Sequence, residues 1–344
     1  MLKTPAALSR RDFLKLSSAG LLGLMLTELH LDYVLAAEAI KEGRAALSGI
    51  SIYDAPSFNA MQIDILNRDQ VVPITAEVAG DDETAYNRLW YCIGNNGYAY
   101  SGWIQPVKTV FNAPIYDIPP TGILGEITIP FVAIRQQPNS LYRTGFRLYY
   151  GSTHWIREIV INKDDETIWY RLDDEHSQVS YFVPAEAVRV STTEELTLLS
   201  PDIPNELKSI YVDLAGQTVM AFEDEKPVLM SRLSSGTKGT RTPSGSYRTY
   251  HKSPTVHMSD GDDGKNQTYD LPGVPWVTFF TGTGVSFHGT YWHNDFGHPR
   301  SHGCINLPMP AAKFIYRWTL PTVPPQERYL HKPGEGTNVQ IGKI

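Results

Sequence analysis

The chain has 344 residues, 42% of them hydrophobic and 19% charged, with a formal net charge of −7. This length predicts two or three domains with full apolar cores, and only two cysteines, Cys92 and Cys304, argue against a small disulfide-stapled fold. The acidic balance without a long basic block argues against nucleic acid as a partner, since phosphate binding needs clustered Lys and Arg, while 24 prolines and 19 tyrosines favour turns and strands over long helices.

The N-terminus reads Ser9-Arg10-Arg11-Asp12-Phe13-Leu14-Lys15, followed by a modestly apolar run from Leu16 to Leu26 and the small-residue zone Ala36-Ala37-Glu38-Ala39. This order resembles a twin-arginine export signal over residues 1–39, which implies export to the cell envelope or its outer face. A cytosolic amphipathic helix is the alternative. A spanning helix needs about 20 apolar residues, and Glu28, His30 and Asp32 interrupt this run. Retention at the membrane through an uncleaved signal stays open.

Residues 45–195 read as β-rich. Leu89 to Ile93, the turn Gly94-Asn95-Asn96-Gly97 and Tyr98 to Tyr100 predict a hairpin, and Trp103 to Val107 closes the segment. Cys92, within an apolar strand, is expected in the core. A second set follows: Arg147 to Gly151, Thr153 to Ile161, Ile168 to Leu172 and Tyr181 to Pro184. The Trp-Tyr strands at Trp90 and Trp169, with the Trp103 strand, resemble bacterial SH3-like barrels, which implies one or two small modules that bind the cell wall or act as a spacer. The alternative is one irregular β domain.

Ser191 to Asn205 carries Ser, Thr, Glu and two prolines, and marks the boundary to a domain over residues 206–344. Lys208 to Leu214, Gln217 to Phe222 and Val228 to Leu233 predict an antiparallel meander, which Trp276 to Thr281 and Val285 to His288 continue. Pro310 to Thr319 predicts a short helix: proline suits its first turn, and Phe314, Ile315 and Trp318 share an apolar face.

The stretch HGTYWHNDFGHPRSHGC, His288 to Cys304, holds four histidines and a cysteine. These donors could build a zinc site, but a second cysteine near the first is missing and no metal or other cofactor is assigned. A nucleophile needs fewer coincidences. A thiol with a free pKa of about 8.5 can be activated by a neighbouring histidine, and an extended segment would put His302 on the same face as Cys304. Gly303 between them would let substrate approach backbone N–H groups. His293 and His298 are read as solvent-facing.

His288-Gly289 and Ser301-His302-Gly303-Cys304-Ile305-Asn306, together with Ser234-Ser235-Gly236 and Thr242-Pro243-Ser244-Gly245-Ser246-Tyr247, resemble the motifs of the YkuD-type L,D-transpeptidase catalytic domain. The resemblance covers roughly Glu206 to Ile344. It implies a mainly β chain: a β-sandwich catalytic domain with a short helix, acting on peptidoglycan stem peptides. Cys304 would attack a stem tetrapeptide, expel the terminal D-alanine and pass the acyl group to an amine, giving a 3→3 cross-link. By position, Cys304 is the nucleophile, His302 its base and His288 the second histidine, the two histidines being interchangeable at this stage. Gly289, Ser301, Gly303 and Asn306 would line the substrate, with Tyr291 stacking on it or not and Trp276 either packing in the core, the preferred reading, or covering the substrate. Carboxypeptidase or exchange chemistry on the same fold, and a non-enzymatic wall-binding or zinc-binding protein, are the competing functions; the oligomeric state is left open.

Overall fold

The computed structural model describes residues 42–94, 97–140, 143–174, 178–260 and 269–342; the expected export signal, residues 1–39, lies outside them. Two seven-stranded sheets come first, one from Glu42–Ala45 to Ile104–Val107, the other from Ile123–Ile127 to Val188–Val190. Counting strands from the start of each sheet, both have the spatial order third, second, sixth, fifth, fourth, first, seventh. Each also has a 3₁₀ turn just before its last strand, Ser101–Trp103 in one and Ala185–Ala187 in the other. The two Trp-Tyr pairs fall at corresponding places, on the fifth strands Leu89–Ile93 and Ile168–Asp174.

Side-chain alternation explains both cores. On Ile168–Asp174, Tyr170 and Leu172 are fully buried while Arg171 is not, and they pack on Ile127, Leu148, Ile156 and Val183. In the first sheet Ile50, Ile52, Leu66, Ile74, Tyr91 and Ile104 play the same part. Cys92, expected in that core, is only half-buried, and both cysteines are free thiols.

Two five-stranded sheets follow. Lys208–Asp213, Thr218–Glu223 and Lys226–Arg232 form the expected antiparallel meander. The C-terminal strand Asn338–Gly342 then pairs parallel with Lys208–Asp213 and antiparallel with Gly245–Arg248. In the other sheet Asp270–Phe279 lies between His251–Ser259 and Ser286–Gly289, and Ser286–Gly289 pairs parallel with Ile305–Leu307. Both sheets and the helix Met309–Trp318 share one core, including Ile210, Val212, Val219, Phe287, Ile305, Leu307, Ile315 and Trp318.

The helix begins where expected. Pro308 caps it and Pro310 sits in the first turn, where a missing N–H costs nothing. Its other end is held by two amines from the strands beneath: Lys208 Nζ donates to Leu199 O (3.0 Å) and Trp318 O (3.3 Å), and Lys252 Nζ donates to Thr319 O (2.7 Å). Cations suit the negative end of the helix dipole, and burial pushes both amines below their ordinary pKa.

The two halves of the chain are not separated by a free join near Ser200. Leu124, Trp155 and Leu196 belong to the same buried cluster as the core of residues 206–344, and Leu199 packs against it. The first sheet docks through Arg44, which is 1% exposed. Its guanidinium pairs with Asp69 (2.8 Å), donates twice to Gln105 Oε1 (3.0 and 2.8 Å) and donates to the carbonyl of Tyr291 (2.7 Å). The same group lies 4.2 Å from the ring centroid of Tyr149 on the second sheet. One buried cation therefore touches all three parts of the chain.

Candidate active site

The motif Ser301 to Asn306 is framed by Ser234 to Thr242. Ser234 and Asn306 exchange backbone hydrogen bonds of 2.9 Å, and Ser301 N–H donates to Ser235 O (3.0 Å). Thr242 Oγ1 accepts from Gly236 N–H (2.9 Å) and donates to Gly303 O (2.7 Å). A Cβ on Gly236 would lie 2.0 Å from Thr240 O, so only glycine permits this crossing. The upstream motif thus builds the cradle for the downstream one.

Residues 301–304 form a tight turn where the sequence reading expected an extended segment. Ser301 Oγ donates to Cys304 O (2.5 Å) and accepts from Gly303 N–H (3.0 Å), so this serine closes the turn. Gly303 has φ +127°, and a Cβ there would meet nothing closer than 3.7 Å. Conformation, not space, is what requires glycine at this position. Alternation belongs to a strand, so at this turn it does not set the facing of His302 and Cys304; both line the same cavity.

The strand pairing sets a second histidine, His288, in the cavity that the cysteine lines. Phe287 faces Ile305 and His288 faces Asn306 across the parallel ladder, which sets Ser286 beside Cys304. Phe287 and Ile305 are fully buried in the core, so Ser286, His288 and Asn306 lie on the other face. Cys304 Sγ is 3.6 Å from Ser286 Oγ and 3.7 Å from Gly284 O. His288 Nδ1 lies 3.0 Å from Gly289 O. A carbonyl can only accept, so Nδ1 carries the proton and Nε2 keeps its lone pair.

Burial sets the protonation states. It raises the Cys304 thiol, with Ser286 partly offsetting it, so the resting sulfur is a thiol that needs a base. Burial lowers His288 to about 4, against the opposing bond to Gly289, so its imidazole is neutral near pH 7. His302 is exposed, its ring 5.1 Å from that of Tyr269.

A cavity of about 410 Å³ joins these groups. Cys304, His288, His302, Ser301 and Asn306 line it, as do Trp292 and Arg300. The strands His251–Ser259 and Asp270–Phe279, with the adjoining Tyr269, contribute Met258, Tyr269, Asp270 and Leu271, and the first β sheet's part of the chain contributes Ala46, Leu47 and Arg68. None of these last seven carries a motif that sequence reading could use.

Four expected site residues stand elsewhere. Trp276 is 2% exposed, in the core beside Tyr316 at 5.4 Å between ring centroids. Tyr291 is buried too: its hydroxyl donates to Pro272 O (2.8 Å) and its ring stacks on Tyr149. Neither lines the cavity, because the apolar area of both rings is taken up by packing. Gly289 packs against Met309 and Pro275 and reaches the site only through its carbonyl, and Gly303 contributes only the bend of the turn.

His293, expected in solvent, is 4% exposed, while His298 is half-buried against Tyr86. His293 Nδ1 accepts from Asp295 N–H (3.2 Å), so its proton is on Nε2, which lies 2.9 Å from the Asn306 amide. With the amide nitrogen at that contact, Asn306 Oδ1 would be buried without a partner. Turning the amide over would instead pair Oδ1 with His293 Nε2–H. Among the described residues, no group of three or more His, Cys, Asp or Glu could hold a metal ion.

Three buried imidazoles make stability depend on acid. Burial lowers His288 to about 4 and His293 and His154 to about 3, each against a smaller opposing interaction. Between those values and the unfolded value near 6.5 the unfolded chain binds more protons, so stability falls as pH drops. Each histidine contributes a slope of about 1.4 kcal/mol per pH unit in that window. His257 runs the other way: hydrogen bonds to Asp174 and Asp270 outweigh its burial and raise it, so its contribution is complete below about 6.5 and lost as pH rises. Urea unfolding should show a lower midpoint at about pH 4.5 than at about pH 7. Equal midpoints would mean that water reaches these rings.

The fold and site describe a mainly β domain in which a half-buried cysteine and a neutral histidine line one cavity. Residues 207–341 match the model of the YkuD family, the L,D-transpeptidase catalytic domain. The chain is also similar to the crystal structure of an Enterococcus faecium L,D-transpeptidase mutant, at 26% identity over 39% of this chain and 49% of that one, with a TM-score of 0.31. The NMR structure of the catalytic domain from E. faecium matches at 26% identity over 39% of this chain and 96% of that one, TM-score 0.31. An L,D-transpeptidase from Mycobacterium smegmatis matches at 17% identity over 51% and 90%, TM-score 0.32. The chain spans about half the length of the first of these. Comparison with curated proteins finds no match.

Proposed function

We propose that this protein is a cell-wall L,D-transpeptidase with Cys304 as nucleophile and His288 as general base. The observation that supports it most is the fixed His288 tautomer: Nδ1 is spent on Gly289 O, and Nε2 is left free on a residue that lines the same cavity as Cys304. In this reading His288 Nε2 takes the thiol proton as sulfur bonds to the stem-peptide carbonyl carbon. Collapse of the tetrahedral species breaks the amide bond, and the departing D-alanine amine takes the proton back. An acceptor amine then attacks the thioester, His288 removes its proton, and the thiol returns. His302 with Tyr269 shapes the rim.

Residues 45–195 are read as paired SH3-like modules, supported by their shared strand order. Export through Arg10-Arg11 puts the enzyme where its substrate lies; lysine at both positions should leave precursor inside the cell, and unchanged secretion would refute that route. Mass spectrometry of muropeptides incubated with the purified protein tests the reaction. A dimer that has lost one alanine per link is the expected product. Tripeptide alone would indicate a carboxypeptidase, a swapped terminal residue an exchange enzyme, and unaltered muropeptides would overturn the proposal.

A further inference from the structure

Resting on that acyl-transfer reading, we propose that Arg68, carried by the first β sheet, binds a carboxylate of the donor peptide and that this sheet forms one wall of the substrate site. Arg68 lines the same cavity as Cys304 and His288, together with its neighbours Ala46 and Leu47.

The cavity's charged groups are already matched, except this one. Arg300 is paired with Asp295, whose side chain is fully buried, and its guanidinium lies 4.4 Å from the Trp103 ring centroid. Asp270 is engaged by His257. Arg68 Nη2 donates only to the Tyr149 hydroxyl, at 3.2 Å, and the residue is exposed. Among the described residues no carboxylate pairs with it. A guanidinium with free donors at the mouth of a peptide cavity is built for the planar, two-oxygen geometry of a carboxylate, and a stem peptide supplies several.

Placement distinguishes Arg68 from an ordinary surface arginine. It sits in the turn between Gln62–Leu66 and Val71–Ala79, next to Asp69. Asp69 is 7% exposed with φ +68°, and both Arg44 and Arg147 hold its carboxylate. Its N–H donates to Ala45 O (2.8 Å), and the Arg68 N–H donates to Ser48 Oγ (3.3 Å). The buried cation that joins the three parts of the chain therefore also fixes the backbone on which Arg68 stands. Preorganisation of this kind lowers the ordering cost of binding.

Binding can be read without turnover, on the full-length Cys304→Ala protein, by titrating a stem tetrapeptide and its fully carboxyl-amidated analogue in a calorimeter. The acid should bind about 10- to 100-fold tighter than the amide, the range of a charge-assisted hydrogen bond. Adding Arg68→Gln should collapse that ratio toward one, and Arg68→Lys should restore part of it. An unchanged ratio, equal weakening of both peptides, or no binding of either would overturn the proposal. Muropeptide conversion by the protein with Cys304 intact is scored separately, so failure of the transpeptidase reading is distinguishable from failure of Arg68.

Discussion

Cys304→Ala is expected to abolish conversion of muropeptides and any covalent adduct with a carbapenem, a strained cyclic amide that acylates nucleophilic cysteines, while the melting temperature stays close to that of the parent. The side chain is half-buried and meets only Ser286 and Gly284 through its sulfur, so little packing is lost. His288→Ala should keep the thiol and slow acylation by about 10²–10⁴-fold, the usual worth of general-base assistance. Raising pH should recover part of that rate, because the thiolate then forms without a base. His302→Ala should cost much less, since that ring lies exposed against Tyr269. Intact-mass spectrometry over time reads all three variants. Equal slowing by His288→Ala and His302→Ala would remove the distinction drawn between them, and an adduct on Cys304→Ala would refute the nucleophile.

Arg44→Ala should be the most damaging substitution outside the cavity, with a loss of about 3–5 kcal/mol, the range for breaking a buried ion pair from one side. It strips Asp69 of its buried partner, leaving Arg147, whose side chain is 42% exposed, and it leaves the Tyr291 carbonyl and Gln105 Oε1 without their donor. The guanidinium is buried enough that its own pKa is pushed down despite Asp69, so its removal is not softened by solvent. Arg44→Lys keeps the charge but cannot serve Asp69, Gln105 and Tyr291 together, and should fall between. Urea unfolding followed by tryptophan fluorescence measures the loss. A change below about 1 kcal/mol, the scale of an exposed pair, would mean that the three parts of the chain are held by other contacts.

These contacts run through the segment between Gly289 and Ser301. Tyr100 OH donates to Asp295 (2.6 Å), Asn294 N–H donates to Gly102 O (2.8 Å), and Asn294 Nδ2 donates to Tyr91 OH (3.1 Å). The segment that looks like a variable loop in the sequence is thus a docking surface. It also carries His293, which orients Asn306, so docking and site geometry are mechanically linked.

Local signals in the sequence were enough for the meander, the helix and both Trp-Tyr strands. Each depends on neighbours within a few positions, as in the alternation along Lys208–Asp213 and the prolines at the helix start. What the sequence could not determine needs partners far apart in the chain. The parallel pairing of Lys208–Asp213 with Asn338–Gly342, and of Ser286–Gly289 with Ile305–Leu307, leaves no mark in local periodicity, yet the second pairing is what sets His288 opposite Asn306 in the cavity that Cys304 lines. Burial is equally non-local: Trp276, Tyr291 and His293 carry side chains suited to a substrate site, and only packing against Tyr316, Tyr149 and Asn306 assigns them elsewhere. Arg68 is the converse case, an unremarked turn residue in the chain that becomes a wall of the cavity because a buried cation 24 positions earlier, Arg44, fixes the sheet carrying it against the catalytic domain.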